Sequence, residues 1–255
     1  MTHISTRIRN IGSAVLLLSM TVLPAVAAAQ STKNVILVHG AWADGSSWSK
    51  VIPLLDAKGY NVTAVQLPLT SLSDDAATVK RAIALEPGPV LLVAHSYGGA
   101  VITEAGNDPK VTGLVYVAAF APDAGQSVGS LNATVPPTPL ATQAKPDADG
   151  FVRISKAGIF EDFAQDLTQT EKGVLYVAEA PTNVKSLGGA IGQPAWRNKP
   201  SWYIVAADDR AISPKLEATM AQTIHATTET IKASHVAMLS HPREVADVIE
   251  RAAGH

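Results

Sequence analysis

From residue 34 onward the chain alternates short, unbroken apolar runs with segments whose apolar residues recur every three or four positions. The runs 34–38, 90–94, 114–118 and 202–206 are nearly continuous in Val, Ile, Leu, Ala, Trp and Tyr. Runs without polar alternation suit strands covered on both faces. Asn61 to Val65 reads as a further strand, and the more polar Thr227 to Ile231 as one nearer a sheet edge. Between the strands, Trp48, Val51, Ile52 and Leu55 fall at i, i+3, i+4, i+7 ahead of Gly59. That spacing predicts an amphipathic helix with a glycine stop, although Pro53 is comfortable only in a first turn. Ala76, Val79 and Ile83 mark a second helix, closed by Pro87-Gly88-Pro89, and Gly98 to Asn107 a small-residue one. Ser213 and Pro214 open another as cap and first helical residue, and Val245, Val248, Ile249 and Ala252 stripe the last. The alternation predicts an α/β fold: a mostly parallel sheet with helices on both faces.

The pattern breaks between Ala121 and Pro194, a stretch holding Pro136-Pro137, Pro139, Pro146 and Gly188-Gly189, with short helical pieces from Phe160 to Leu167. It reads as an insertion over the carboxyl edge of the sheet, within one domain covering 30–255, of the kind that often serves as a lid. A passive surface excursion is the alternative.

Composition narrows the function classes. At 255 residues and 47% hydrophobic content the chain can bury one sizeable core. Only 16% of residues are charged, the formal net charge is -2 and no Lys/Arg block occurs, so no nucleic-acid partner is expected. Cys is absent, which excludes disulfides, thiolate metal sites and a Cys nucleophile. Residues 1–29 read as a secretion signal: Arg7 and Arg9, an apolar stretch from Ile11 to Val22, then Pro24 and small residues. Cleavage after Ala27 or after Ala29 fits equally. The stretch falls short of the about 20 residues of a bilayer span, and an uncleaved anchor is the alternative. Arg7 and Arg9 are not adjacent, so the twin-arginine route is not indicated. The expected location is periplasmic or secreted, with no stable membrane insertion after signal cleavage.

The candidate chemistry lies at strand ends. Ala94-His95-Ser96-Tyr97-Gly98-Gly99 sits between a buried strand and a small-residue helix, the setting of a nucleophile elbow, with Ala94 where G-x-S-x-G has its first glycine. A hydroxyl needs a neighbouring base. Of the downstream histidines His225, His235, His241 and His255, His235 follows the last strand directly and precedes the last helix. His241 reads as a surface or capping group, and His95 as a residue packed beneath the site. A carboxylate should follow the preceding strand and orient the imidazole. Asp208-Asp209 is there; Asp209 is preferred because Ile212 and the capped helix lie just beyond, and Asp208 stays open. Two backbone amides must receive an oxyanion: Tyr97, after the serine, and Ala41, in the loop after the first strand. His39 reads as a brace for that loop.

Val38-His39-Gly40-Ala41-Trp42, the elbow, Ala118-Ala119-Phe120-Ala121-Pro122 and 234–240 together resemble the α/β-hydrolase superfamily. The branch they look like is that of plant-type hydroxynitrile lyases and methyl-ester esterases with their bacterial members. The resemblance implies a Ser96, Asp209, His235 triad, an oxyanion hole from Ala41 and Tyr97, and no metal or organic cofactor. It also implies that the lyases carry a lysine directly after the triad histidine and a threonine in the first-strand loop. Here Val236 and Gly40 stand at those positions, which favours ester hydrolysis.

The reading is therefore a carboxylic ester hydrolase acting through an acyl-enzyme on a small-molecule ester. A lyase, lactonase or perhydrolase on the same triad is the alternative, as is a non-catalytic ligand-binding member of the fold. Trp42, Phe120, Phe160, Phe163, Tyr176 and Trp196 are candidates either for an apolar pocket or for ordinary packing. Oligomeric state is left open by the sequence.

Overall fold

The computed structural model describes residues 1–3 and 32–255; the expected signal segment falls outside them except for its first three residues. Among the described residues nine strands form. They are β1 (Asn34–Val38), β2 (Asn61–Ala64), β3 (Val90–Ser96), β4 (Val111–Ala119), β5 (Ala144–Pro146), β6 (Phe151–Ile154), β7 (Thr182–Asn183), β8 (Ser201–Ala206) and β9 (Thr227–Ile231). Six make one sheet in the order β2-β1-β3-β4-β8-β9, and every neighbouring pair in it is parallel. The order reverses at β1 and β3, so the central strands end where loops from both halves of the sheet converge, which is where open α/β sheets place their ligands.

The helices are α1 (Ile52–Asp56), α2 (Leu72–Leu85), α3 (Gly98–Ala105), α4 (Val128–Asn132), α5 (Gln169–Ala178), α6 (Val184–Gly188), α7 (Pro214–Thr223), α8 (Ala237–Ser240) and α9 (Pro242–Ala253). Side chains alternate along the strands, broken in β4 at Ala118, whose φ of 43 accompanies a register shift against β3. Ile36, Val38, Leu92, Tyr116 and Tyr203 share one core layer with Val79 and Ile83 of α2, Val101 of α3 and Met220 of α7. Leu37, Leu91, Val93, Val115 and Ile204 share the other with Trp48, Leu55 of α1, and Val245 and Ile249 of α9. The apolar runs are unbroken because both faces are covered. Strand β9, exposed at four of its five positions, is an edge, as its polarity predicts.

Two local expectations change. The helix expected from Trp48 to Leu55 is split: a 3-10 turn covers Gly45–Trp48, capped by the Asp44 side chain accepting from the Ser46 amide at 2.7 Å, and α1 starts afresh at Ile52. Pro53 sets that restart, standing in the first turn where its missing N–H is harmless. The segment after β4 is also more ordered than its prolines suggest. The helical piece expected at Phe160 to Leu167 is a π-helix over Gly158–Phe163, and β5, β6 and β7 form a small antiparallel sheet. Helix α5 opens on a capping box, with Thr168 and Glu171 exchanging side-chain and backbone hydrogen bonds. Among the described residues no helix is long and apolar enough to cross a membrane.

Helix α3 packs against the sheet with no room to spare. A Cβ at Gly99 would stand 2.3 Å from the Phe120 carbonyl oxygen and one at Gly98 2.6 Å from that of His39. Gly173, inside α5, would meet nothing within 4 Å. In urea unfolding, Gly99→Ala should therefore lose about 1–3 kcal/mol through overpacking. Gly173→Ala should gain about 0.5–1 kcal/mol from helix propensity. Equal effects in the two variants would show that the backbone approach at α3 is not tight.

Candidate active site

Ser96 ends β3 beside a register shift against β4 and has φ 53, a left-handed conformation that residues bearing a Cβ rarely adopt. Such strain persists only where surrounding contacts over-determine it. The Phe120 amide donates to the Ser96 carbonyl at 3.0 Å, and β1 and β4 flank the strand on both sides. From below comes Gly40, where a Cβ would lie 2.7 Å from Ser96 Cβ and 3.1 Å from His95 Nδ1. The loop after β1 thus touches the elbow backbone to side chain, and only glycine fits there. Helix α3 begins at Gly98 and directs its N-terminal partial positive charge toward this corner.

His235 lies between β9 and α8 and is 1% exposed. Its Nδ1–H donates to Asp209 Oδ2 at 2.6 Å, which leaves Nε2 with a free lone pair. Asp209, three residues past β8, is held in turn: its Oδ1 accepts the amides of Ala211 at 2.6 Å and Ile212 at 2.9 Å. Asp208 differs from it: it is exposed, and its carbonyl accepts from Gln165 at 2.6 Å. The structure thus brings Asp209, not Asp208, to His235. Among the described residues no hydrogen bond joins the Ser96 hydroxyl to the ring; both line one pocket. Catalytic hydrogen bonds are often long before substrate is bound.

Beneath the imidazole, the Phe163 ring centroid stands 5.0 Å from that of His235 and the His95 centroid 4.5 Å away. His95 is fully buried, and its Nε2–H donates to the His235 carbonyl at 2.9 Å. Desolvation holds its pKa well below the ordinary histidine value, so this ring is a neutral support. Another group has no signature in the sequence: Glu217 on α7, fully enclosed, accepts the Ala206 amide at 2.9 Å. Burial first, and then the facing Asp209 carboxylate, raise its pKa well above the usual range. In its protonated form Glu217 has an O–H to offer the facing Asp209 carboxylate.

Ala41 and Tyr97 sit on the pocket wall beside Ser96. Among the described residues neither amide donates to a protein group, in contrast to Trp42, whose amide is taken by Thr182 Oγ1 at 3.1 Å. His39 uses both ring nitrogens: Nδ1–H donates to the Gly40 carbonyl at 2.8 Å and Nε2 accepts the Leu67 amide at 2.9 Å. Burial lowers its pKa, keeping it neutral in that role. Of the aromatic candidates, Trp42 and Phe120 line the pocket, while Phe163 supports the histidines and Trp196 caps the Pro122 carbonyl at 3.0 Å. Most of the remaining wall is apolar, with Val128, Val135, Pro136, Pro137, Leu140 and Leu187 from the segment after β4 and Ile212 beyond, and the polar Asn132 and Thr138 also line it. No charged side chain lines it, and the cavity measures ≈ 110 Å³. Among the described residues no cluster of His, Asp and Glu could hold a metal ion.

The pocket, the elbow and the parallel sheet can be set beside known proteins. The chain is 26% identical over 246 residues to an alpha/beta hydrolase of Aspergillus novofumigatus, covering 86% of this chain and 96% of that one. It is 37% identical to methylesterase 7 of Arabidopsis thaliana over 108 residues, 36% of this chain and 41% of the relative. The crystal structure of a pyrethroid hydrolase superposes with a TM-score of 0.77 at 24% identity, covering 86% of this chain and 96% of that one. Residues 35–248 match the model of the alpha/beta hydrolase family. A match that runs from the first strand into the last helix leaves no strand of the sheet outside it, and the chain belongs to the alpha/beta hydrolase family.

Proposed function

We propose that the protein is a carboxylic ester hydrolase in which Ser96 is the nucleophile, His235 the general base and Asp209 its orienting carboxylate. The observation that carries this reading is the pairing of His235 Nδ1 with Asp209 at 2.6 Å while the ring lines the pocket of Ser96. Relatives named as a methylesterase and a carbendazim-hydrolysing esterase support the same chemistry.

His235 Nε2 takes the Ser96 proton as Oγ forms a bond to the ester carbonyl carbon, and the carbonyl electrons move onto oxygen. The amides of Ala41 and Tyr97 receive that oxyanion. Collapse expels the alcohol, protonated by His235. Water, deprotonated by the same ring, then attacks the acyl-enzyme and returns Ser96 to its starting state. An uncharged pocket wall favours neutral esters, because a charged acyl or alcohol group would lose its hydration without gaining an opposite charge. Val236 is buried in the core, so no ammonium follows the histidine to hold a departing cyanide. That and Gly40 at the elbow favour hydrolysis over cyanohydrin cleavage.

With p-nitrophenyl butyrate as substrate, Ser96→Ala should remove measurable turnover and Asp209→Asn should lower kcat by about 10³- to 10⁴-fold through the wrong imidazole tautomer. Asp208→Asn should stay within about twofold of the parent, as an exposed position implies. A large loss in Asp208→Asn with little in Asp209→Asn would reassign the carboxylate.

Glu217 gives a pH-dependent test. A neutral Glu217 predicts that Glu217→Gln, which keeps an acceptor for the Ala206 amide and a donor for Asp209, leaves the acidic limb of the kcat/KM profile in place. Had Glu217 been ionised, removing its negative charge would disfavour the protonated form of the site and move that limb to lower pH. Glu217→Leu strands the Ala206 amide and should cost about 1–3 kcal/mol of stability.

Export belongs to the same proposal. N-terminal sequencing of protein recovered outside the cytoplasm should begin at Ala28 or Gln30; a start at Met1 or Thr2 removes the signal reading.

A further inference from the structure

Asp75 is the most enclosed carboxylate that the ester chemistry leaves unused. It lies in the first turn of α2, is 0% exposed, and takes part in no salt bridge among the described residues. Its partners are hydrogen-bond donors alone, and they come from three separate parts of the chain. Oδ1 accepts the Leu69 amide at 2.8 Å; Oδ2 accepts Tyr97 Oη–H at 2.5 Å and Ser186 Oγ–H at 3.3 Å. Leu69 belongs to the loop between β2 and α2, Tyr97 follows the nucleophile, and Ser186 lies on α6 next to the pocket residue Leu187.

Burying a carboxylate without a cation is unfavourable for stability, and apolar residues of similar volume serve a core at least as well. What the carboxylate does that an apolar residue could not is fix three donors in direction. The Tyr97 backbone is the free amide beside Ser96, and its side chain is a rigid ring with two rotatable bonds. Anchoring the phenol end sets the tilt of the peptide that carries the amide. The same loop reaches the other amide as well. Leu67 donates to His39, which donates to the Gly40 carbonyl, the carbonyl of the same peptide unit that carries the Ala41 amide. Leu69, at φ 55, is itself strained and is held by Asp75 on its amide and by the Asn183 amide, at 2.8 Å, on its carbonyl.

We propose that Asp75 is a positioning residue for ester hydrolysis: through Tyr97 Oη and the 65–71 loop it aligns the two amides that face the oxyanion, and through Ser186 it registers α6 against the same pocket. The inference rests on the acyl-enzyme reading of Ser96. Misplacing a catalytic donor lowers the rate of the chemical step, whereas shifting the pocket wall changes substrate binding.

The experiment starts with a fluorophosphonate probe. Labelling of the parent and not of Ser96→Ala keeps the acyl-enzyme reading; an unlabelled parent, with turnover surviving in Ser96→Ala, sinks that reading and this inference with it. With labelling in place, kcat and KM for p-nitrophenyl butyrate are measured for Tyr97→Phe, Asp75→Asn, the double variant and Ser186→Ala, alongside thermal midpoints. Tyr97→Phe and Asp75→Asn should each lower kcat by about 10- to 100-fold with KM within about threefold. The double variant should be no worse than the poorer single one, because both remove the same link. Ser186→Ala should raise KM and leave kcat within about twofold. Parental kcat in a folded Tyr97→Phe, or losses that multiply in the double variant, overturns the proposal. Should Asp75→Asn not fold, Tyr97→Phe decides alone, since it leaves Asp75 its other two donors.

Discussion

A residue with a β-carbon is held in the left-handed region at the end of a central parallel strand, and the rest of the molecule is arranged around that one dihedral. Ser96 at φ 53 cannot be maintained by its own preference; it needs close backbone from several directions. Glycines supply the approach, Gly40 against Ser96 itself and Gly98 and Gly99 against the carbonyls of His39 and Phe120. Those carbonyls lie one residue past the ends of β1 and β4, the neighbours of β3 in the sheet. Strand order, helix approach and nucleophile geometry are therefore one constraint seen at three scales.

Around that corner the protein buries ionisable groups and holds several of them uncharged. His39 and His95 are kept neutral by desolvation and used as hydrogen-bonding struts. Glu217 is kept neutral beside Asp209. Asp75 is surrounded by donors without a cation, and burial raises its pKa, opposed by those donors. Oxygen and nitrogen atoms are thus fixed in place with little net charge facing the pocket, so a charge that develops on substrate meets aligned dipoles and few fixed ions.

The inner strands were legible in the sequence because strands covered on both faces must be continuously apolar, whereas the edge strands β2 and β9 lack that mark. Ser96, Asp209 and His235 were legible as residues at successive strand ends. What holds Asp209, and not Asp208, against His235 is the turn in which its Oδ1 accepts the Ala211 and Ile212 amides, a geometry that adjacency in sequence cannot show. The segment from Ala121 to Pro194 is hard to resolve from sequence because its prolines and short elements carry no long period; the Thr168-x-x-Glu171 capping box is the local signal that marks the start of α5. Glu217 and Asp75 left no trace at all. A glutamate or aspartate near the start of an amphipathic helix normally faces water, and only the packing of other elements turned these two inward.

The order of the chain has a consequence for how activity is acquired. Strand β4 ends at Ala119 and β8 begins at Ser201, yet the two are neighbours in the sheet. A chain folded only through β4 already holds Ser96, Ala41 and Tyr97, and lacks both Asp209 and His235. Pairing β8 with β4 requires closing a loop over the whole inserted segment, a non-local step that is slow by its entropy. Ser96, the proposed nucleophile, therefore stays apart from its proposed base until the carboxyl-terminal strands dock.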